Sequence, residues 1–311
     1  MKFIFKFAPL VFSLGFIAVA WTLIESDFSQ VFLESKNFSL FWFLCATISY
    51  LVSNYFAAFK FQRIVNRRIK SLEKDVVGLT LKSLFVSNFI PVGPSADIYR
   101  VYSMKKSFGW SVTDGLLLVA IDRGCSIIYT LIFGSMFSVY LEWVLQPASS
   151  VPELSALYLG ASFCGLVMIW VTRNGWVLRL VTSDMFLTAE SWLRSFSRGC
   201  MRALEDVVMI GCFIGQLASF AFGLYLTTQA LGIEGSFQYM LFLSPIIFIT
   251  NSIPIAFNGW GSRELVLIAV NSPSISGIMD VEIAVVSVAS GLAVLMASAG
   301  GLIVNIFPRF R

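Results

Sequence analysis

The amino-acid sequence predicts an all-α integral membrane protein. Of its 311 residues, 57% are hydrophobic and only 13% are charged, and the mean hydropathy is +0.81. Several apolar stretches are long enough to cross about 30 Å of hydrocarbon. The polar stretches between them are too short for a separate soluble domain, and this composition is typical of membrane proteins. We therefore expect one membrane domain over residues 1–311.

Six stretches are predicted to be transmembrane helices: 7–24, 38–59, 111–139, 154–172, 206–229 and 283–307. Two further regions, 79–99 and 238–270, are apolar but are interrupted by Pro, Gly and polar residues. Residues 60–78 form a polar stretch after the second span, and its basic part, 60–74, is predicted to be a loop. Apolar and basic residues alternate over 173–205, which predicts a cytoplasmic amphipathic connector on the membrane surface.

The distribution of basic residues predicts the orientation. Eighteen of the 22 Lys and Arg residues lie in termini and loops on one side of the predicted spans, and only Lys36 lies on the other side. The remaining three, Arg100, Arg123 and Arg263, lie in or beside apolar regions. Because loops rich in Lys and Arg stay in the cytoplasm, both termini are predicted to be cytoplasmic.

One motif occurs twice, at an offset of 163 residues. Each copy contains Asn-x-Ile-Pro, with an Arg twelve positions after the Asn: Asn88, Pro91 and Arg100, then Asn251, Pro254 and Arg263. Each Pro interrupts an apolar region. Paired broken apolar segments in the two halves of a membrane protein are typical of a transporter's binding site.

The predicted orientation makes each broken region a re-entrant hairpin. Region 79–99 begins and ends among cytoplasmic basic residues, whereas region 238–270 lies between two outer loops. The offset therefore predicts two repeats of inverted topology, about 38–139 and about 206–307. Since non-helical backbone at membrane depth must be buried or line a cavity, we expect the two hairpin tips to face each other near the midplane.

The charged residues of these regions are the candidate site, because intramembrane charge is costly and marks function. Arg binds phosphate through two parallel hydrogen bonds, so Arg100 and Arg263 are the predicted counter-charges for an anionic head group. The predicted substrate-binding residues are Asn88, Pro91, Asp97, Arg100, Arg123, Asn251, Pro254, Asn258, Arg263 and Glu264. The candidates for proton coupling are Asp97, Asp122 and Glu264, if burial raises a pKa.

Structural roles are the alternative for the same residues. Arg100 would then extend to the cytoplasmic interface, and Arg263 would pair with Glu264 or with Asp97. Asp122 and Arg123 are adjacent, so they point about 100° apart on a helix and are expected to have different partners. Bridging between the repeats is the structural role that we consider for this pair.

The composition argues against catalysis and metal binding. The chain has no His, which removes the commonest general base and metal ligand. The five Cys residues form no Cys-x-x-Cys spacing and are predicted to be small buried hydrophobes. We expect no cofactor, no metal and no nucleic-acid partner. A membrane-embedded enzyme, which would need Asp or Glu as its base, is the least favoured class.

The motifs resemble those of the membrane domain of lysylphosphatidylglycerol synthases and of its stand-alone, flippase-like relatives. In the first family motif, Pro91, Asp97 and Arg100 keep the spacing, while Ser95 and Ala96 stand at two Gly positions. The second motif is matched by Pro254, Gly259, Gly261, Arg263 and Glu264, with Asn258 at its first Gly position. A third motif, an acid followed by Arg, is matched by Asp122-Arg123.

This resemblance implies a lipid flippase or transporter in a bacterial or archaeal cytoplasmic membrane, with an anionic phospholipid or polyprenyl-phosphate-linked lipid as substrate. Lysyl transfer in that family resides in a separate soluble domain after the membrane part, so we expect no synthase activity here. The alternative is a non-transporting membrane partner that presents lipid to a glycosyltransferase or another envelope-biosynthesis enzyme. The oligomeric state is left open.

Overall fold

The computed structural model describes residues 38–68, 76–89, 94–145, 160–161, 184–252, 262–271 and 278–306, and the regular structure in these ranges is helical. The helices are α1 (Leu40–Arg68), α2 (Val76–Phe89), α3 (Ser95–Phe108), α4 (Val112–Leu145), α5 (Asp184–Leu204), α6 (Val207–Leu231), α7 (Phe237–Ser252), α8 (Ser262–Val270) and α9 (Asp280–Ile306). The predicted all-α fold is confirmed.

Four of these helices are long and apolar enough to cross a membrane. The spans are Leu40–Arg67, Val112–Tyr140, Val207–Leu231 and Asp280–Gly300. They correspond to the second, third, fifth and sixth predicted spans, so the chain is a multi-pass membrane protein. The predicted spans 7–24 and 154–172 lie outside the described residues, apart from positions 160–161.

The first of these helices, α1, is longer than predicted. The predicted loop from residue 60 onward was wrong in part, because residues 60–68 are helical. The helix continues to Arg68, and Lys60 is only 3% exposed. Its Nζ lies 3.4 Å from Asp122 Oδ1 and donates a hydrogen bond to Ser126 Oγ at 2.5 Å. Because Asp122 supplies an opposite charge inside the bundle, Lys60 does not end the apolar helix.

Helices α1 and α6 pack along their whole length in antiparallel directions. Three contacts record this direction: Ser39 N–H to the Ala230 carbonyl (2.9 Å), Ser53 Oγ to the Gln216 carbonyl (2.9 Å) and Arg63 Nε to Asp206 Oδ2 (3.0 Å). Early residues of α1 thus meet late residues of α6. This pair forms the centre of the bundle, and the other helices pack around it.

Small residues on α6 allow this close packing. Gly215, Ser219 and Gly223 are spaced four residues apart, so they lie on one face of α6. A Cβ placed on Gly223 would lie 2.7 Å from the ring of Tyr50, which is 1% exposed. The Cβ position therefore has no free space at this point of the interface.

Each predicted re-entrant region is a pair of helices that folds back on itself. In the first pair, Arg100 Nε of α3 donates to Ser83 Oγ of α2 at 2.8 Å. In the second pair, Tyr239 near the start of α7 donates to Asn271 Oδ1, just after α8, at 3.0 Å. The connections 90–93 and 253–261 lie outside the described residues.

The two ends of the bundle differ in charge. We call basic end the one that carries Arg63, Arg67, Lys105, Lys106, Arg198 and Arg202, and acidic end the one that carries Glu234, Asp280 and Glu282. At the basic end Asp206 caps α6 by accepting the Val208 N–H at 3.0 Å. Burial alone would raise the pKa of the Asp206 carboxyl, but hydrogen bonds from Arg63 and Val208 and the charge of Arg67 lower it below its usual range.

Part of the predicted connector 173–205 forms α5, which packs against α4 and α6. Its buried face includes Ser197, Cys200 and Ala203, and its opposite face exposes arginines at four-residue spacing. The helix is therefore amphipathic, and it lies beside the basic end of the bundle.

We expect Gly223→Ala to destabilise the protein by about 1–3 kcal/mol, because the added methyl group overpacks the fixed Tyr50 ring. Gly211→Ala on the same helix is the matched control, since a Cβ there meets no atom within 4 Å. Thermal unfolding in detergent measures both variants. Equal melting temperatures for the two would contradict the tight α1–α6 interface.

Candidate functional site

A central cavity of about 350 Å³ lies between the helices of the bundle. Each labelled helix except α5 contributes to its wall. The charged side chains that line it are Lys60, Asp97, Arg100, Asp122, Arg123 and Arg263. Lys60, Arg100, Asp122 and Arg263 are each at most 6% exposed, so water screens these four charges less than it would at a surface.

The central cavity brings together most of the predicted site residues that the structure describes. Asn88 and Asn251, in the last turns of α2 and α7, both line it, which places the two hairpin ends at one site. Asp97, Arg100, Arg123 and Arg263 line it as well, and Glu264 contacts Arg263. Pro91, Pro254 and Asn258 lie outside the described residues.

Five charges form a continuous chain along one wall. Lys60 Nζ is 3.4 Å from Asp122 Oδ1, and Arg100 Nη1 is 3.1 Å from Asp122 Oδ2. Arg100 Nη1 also lies 4.0 Å from Asp97 Oδ1, which is 3.2 Å from Arg123 Nη2. The adjacent Asp122 and Arg123 thus have different principal partners. Cations and carboxylates alternate, so each carboxylate is shared by two cations.

Arg100 is buried rather than at the interface. It is 4% exposed, donates to Ser83 and to Asp122 Oδ2, and lies 4.9 Å from the centroid of the Phe61 ring. The alternative that Arg100 extends to the cytoplasmic interface was therefore wrong. The hydrogen bonds and the aromatic face replace the water that a buried guanidinium loses.

Arg263 is buried too, but it is neutralised locally. Its Nη2 lies 2.9 Å from Glu264 Oε1 and donates to the Ser287 carbonyl at 2.7 Å. Ser287 Oγ accepts from Arg263 Nε at 2.8 Å and donates to Glu264 Oε1 at 2.7 Å. The predicted structural alternative, a pair between Arg263 and Glu264, is present. Glu264 therefore balances the positive charge that Arg263 brings to the cavity.

The repeat does not extend to the other charges. The positions 163 residues after Lys60, Asp97, Asp122 and Arg123 hold Gly223, Trp260, Val285 and Val286. Arg100 and Arg263 are thus the matched pair, and the remaining charges of the wall belong to the N-terminal half. The charges around the cavity therefore do not follow the 163-residue offset, apart from this pair.

Among the residues that the structure describes, the site carries one net positive charge. Four cations (Lys60, Arg100, Arg123, Arg263) face three carboxylates (Asp97, Asp122, Glu264). Arg123 is the most accessible of these cations, with 44% of its side chain exposed, and it contacts Asp97 through both Nε and Nη2 at 3.2 Å. An anion that enters the cavity therefore meets a partly accessible guanidinium.

Another part of the wall is apolar. Phe248 contacts both Phe213 and Phe220 here, with ring centroids 6.4 Å apart for Phe213–Phe248 and 5.0 Å for Phe220–Phe248. Ile127 and Val294 also belong to the lining. A volume of about 350 Å³ is at the low end of the range for small-molecule sites. A charged head group with an adjoining apolar stem fits this mixture of surfaces.

Lys60 is the site residue that the sequence prediction missed. It was assigned to a loop because it stands at the end of an apolar stretch. A usable signal was present, since Ser53, Asn54, Ala57 and Lys60 recur at three- and four-residue spacing and so share one face of a helix. All four line the central cavity.

A family model described as the lysylphosphatidylglycerol synthase TM region matches residues 7–304 of the chain. That family is a membrane domain associated with lipid handling. No curated protein and no solved structure matches the chain. The match covers the whole described bundle, so it applies to the cavity as well as to the fold.

We expect Asp122→Asn to destabilise the protein by about 3–5 kcal/mol, because it removes the counter-charge of buried Lys60 and the nearer of the two carboxylates beside buried Arg100. Lys60→Met in the Asp122→Asn background should recover part of this loss, since it removes one of those cations. Thermal unfolding of the two single variants and of the double variant gives the coupling energy. Additive losses would show that Lys60 and Asp122 do not interact.

Proposed function

Since the chain belongs to the family of the lysylphosphatidylglycerol synthase TM region, we propose that it is a lipid flippase whose central cavity holds the phosphate of an anionic lipid head group. The observation that carries this proposal is the net positive charge of the cavity, with Arg123 exposed to its interior. A zwitterionic head group would gain less from this excess charge. The proposal includes no catalytic step.

Arg123 is the group that contacts the phosphate first. Its contact with Asp97 has two hydrogen bonds of 3.2 Å, at the long end of the range for charged pairs. A phosphate presents the same pair of oxygens to the guanidinium, so it replaces Asp97 without loss of geometry. Asp97 then turns to Arg100, which is already 4.0 Å away.

The helix packing supports the inverted repeat. Ser53 and Gln216 differ by 163 residues, and Ser53 donates to the Gln216 carbonyl. A contact between two equivalent positions of antiparallel helices occurs where a pseudo-two-fold axis passes between them. Such an axis relates α1 to α6, the pair α2–α3 to the pair α7–α8, and α4 to α9. With α1 and α6 as spans, it lies in the membrane plane, as inverted-topology repeats require.

The short helices support re-entrant hairpins. α2 has 14 residues and α7 has 16, which correspond to about 21 Å and 24 Å at 1.5 Å per residue. Both are shorter than about 30 Å of hydrocarbon. Each pair therefore enters and leaves on one side, the first from the basic end and the second from the acidic end, with the basic end in the cytoplasm.

A difference between equivalent interfaces suggests how the head group moves. α1 packs closely against α9. The equivalent pair is α6 and α4, where the Phe213 ring of α6 contacts two rings of α4. The ring centroids are 5.1 Å apart for Tyr129 and 5.8 Å apart for Phe133. In the proposed cycle these two interfaces exchange their packing, so the cavity opens to each side in turn. The acyl chains stay in the surrounding lipid while the head group crosses.

The proposed topology predicts which positions share a side of the membrane. In a background without native cysteines, single cysteines replace the exposed residues Asn66, Lys106, Glu234 and Met279. A membrane-impermeant maleimide should label positions 66 and 106 from one side, and positions 234 and 279 from the other. If α2–α3 or α7–α8 crossed the membrane once, position 106 or 279 would change side.

The proposed activity is tested by lipid translocation in vesicles that contain the purified protein and fluorescent phosphatidylglycerol or phosphatidylcholine. We expect faster translocation of phosphatidylglycerol, and a rate at least about tenfold lower for Arg123→Gln, because a charged hydrogen-bond partner is lost. Arg263→Ala tests the second half of the cavity in the same assay. Lys105→Gln, an exposed residue of α3, is the control and should leave the rate unchanged.

Two results would overturn the proposal. Equal rates for Arg123→Gln and the unaltered protein would remove Arg123 from the mechanism. Lipid binding without translocation of any anionic lipid would favour a non-transporting partner that presents lipid to an envelope-biosynthesis enzyme, and co-purification with such an enzyme would then be the decisive measurement.

A further inference from the structure

A second cavity, of about 220 Å³, lies at the basic end, where α1, α4, α5 and α6 meet. It shares no lining residue with the central cavity. Its inner wall is apolar and includes Leu118, Ile121 and Met209. The polar part of its lining is dominated by three arginines, Arg67, Arg198 and Arg202. We call it the basic-end cavity.

The arginines of α5 are held at this cavity by the helix packing. Arg198 and Arg202 are one turn apart on the exposed face of α5, and Ser197 and Cys200 are buried on the opposite face. Gly199 lies so close to the Ile121 side chain that a Cβ there would clash with it. α5 therefore approaches α4 closely, and this fixes the distance between its arginines and α1.

The positive charge of the basic-end cavity is compensated only in part by the residues that the structure describes. Asp206 is a buried carboxylate at this junction, and it is already bound by Arg63 and Arg67. Neither Arg198 nor Arg202 forms an ion pair with a residue in the part of the chain that the structure describes. Among the described residues, Arg198 donates through Nε to the Arg194 carbonyl at 3.2 Å, so its other guanidinium nitrogens and those of Arg202 can contact an anion beside Arg67.

The α1 and α5 parts of the cavity are also linked directly. Arg67 donates through one nitrogen to the Arg202 carbonyl and through another to Asp206. The side chain of Arg67 is 36% exposed. Arg67 is therefore oriented by two partners while part of its guanidinium remains accessible, which makes it a positioned binding group rather than a mobile surface charge.

The depth of the cavity identifies the ligand chemistry. The α6 span begins at Val207, directly after Asp206, and Met209 of its first turn lines the cavity. The cavity thus lies at the level where hydrocarbon gives way to head groups. An oxyanion there meets guanidinium groups, and the apolar wall suits the glycerol and the first carbons of an acyl chain. Basic pockets between transmembrane helices are known to bind lipid head groups.

We propose that the basic-end cavity binds the phosphate of an anionic phospholipid from the leaflet on its side, and that this lipid fastens α5 to α1 and α6. Arg198 and Arg202 contact the phosphate, and Arg67 completes the site from α1. The lipid bound here is a structural ligand and is distinct from the transported one. The inference goes beyond the proposed function and does not depend on it.

The test measures thermal unfolding of the purified full-length protein in detergent while a short-chain phosphatidylglycerol is added, with short-chain phosphatidylcholine and inorganic phosphate as separate arms. We expect saturable stabilisation by phosphatidylglycerol. Each of Arg198→Ala and Arg202→Ala should raise the half-saturating concentration about tenfold, since a charged hydrogen bond is lost. Arg194→Ala, one turn away on the same face and outside the cavity, should leave it unchanged.

The other outcomes decide the ligand. Equal stabilisation by phosphatidylcholine, or an unchanged half-saturating concentration in the Arg198→Ala/Arg202→Ala variant, would overturn the site. Stabilisation by inorganic phosphate alone would show that the cavity takes a soluble phosphate and would overturn the lipid assignment. Arg198→Lys and Arg202→Lys keep the charge but lose the paired donors of the guanidinium. Full stabilisation of the lysine variants by phosphatidylglycerol would therefore contradict a paired contact with the phosphate.

Discussion

The fold around the central cavity depends on one buried carboxylate. Asp122 of α4 accepts Arg100 of α3 at 3.1 Å and lies 3.4 Å from Lys60 of α1. Without it, Lys60 would lose its counter-charge and Arg100 the nearer of its two carboxylates, in a bundle that spans hydrocarbon, where even insertion scales give about 2.5–3.5 kcal/mol for an isolated charge. The same carboxylate therefore fixes the first hairpin against α1 and α4, and this sets the shape of the charged wall.

The sequence was sufficient for the scaffold because the scaffold depends on local properties. Apolar length located α1, α4, α6 and α9, and the prolines located both breaks between paired helices. Ion pairing was harder to predict, since Lys60 meets Asp122 only when α1 and α4 are placed side by side. A charge at the end of an apolar stretch has the same local pattern whether it enters water or finds a buried partner. For that reason Lys60 was misplaced, whereas the pair of Arg263 with its chain neighbour Glu264 was foreseen.

The repeat predicted more symmetry than the site has. Arg100 and Arg263 occupy equivalent positions, but Arg100 joins a chain of five charges and Arg263 is neutralised by Glu264 and Ser287. Val285 and Val286 stand where the first half has Asp122 and Arg123. In the proposed flippase, the backbone would keep a two-fold arrangement for conformational exchange while the charged contacts come from one half, which would keep the head group on one wall throughout the exchange.

A transport site must bind its ligand and also release it, which limits how strong its contacts can be. An empty pocket of unpaired arginines would hold a phosphate tightly and would be costly to bury in the ligand-free state. In the proposed flippase, the contact between Arg123 and Asp97 avoids both problems, because the carboxylate satisfies the guanidinium until the phosphate replaces it. Binding then exchanges one pair of oxygens for another. Its free energy is the difference between the interaction of Arg123 with the phosphate and its interaction with Asp97. The proposed flippase therefore gains selectivity from its one excess positive charge without a deep energy minimum along the path.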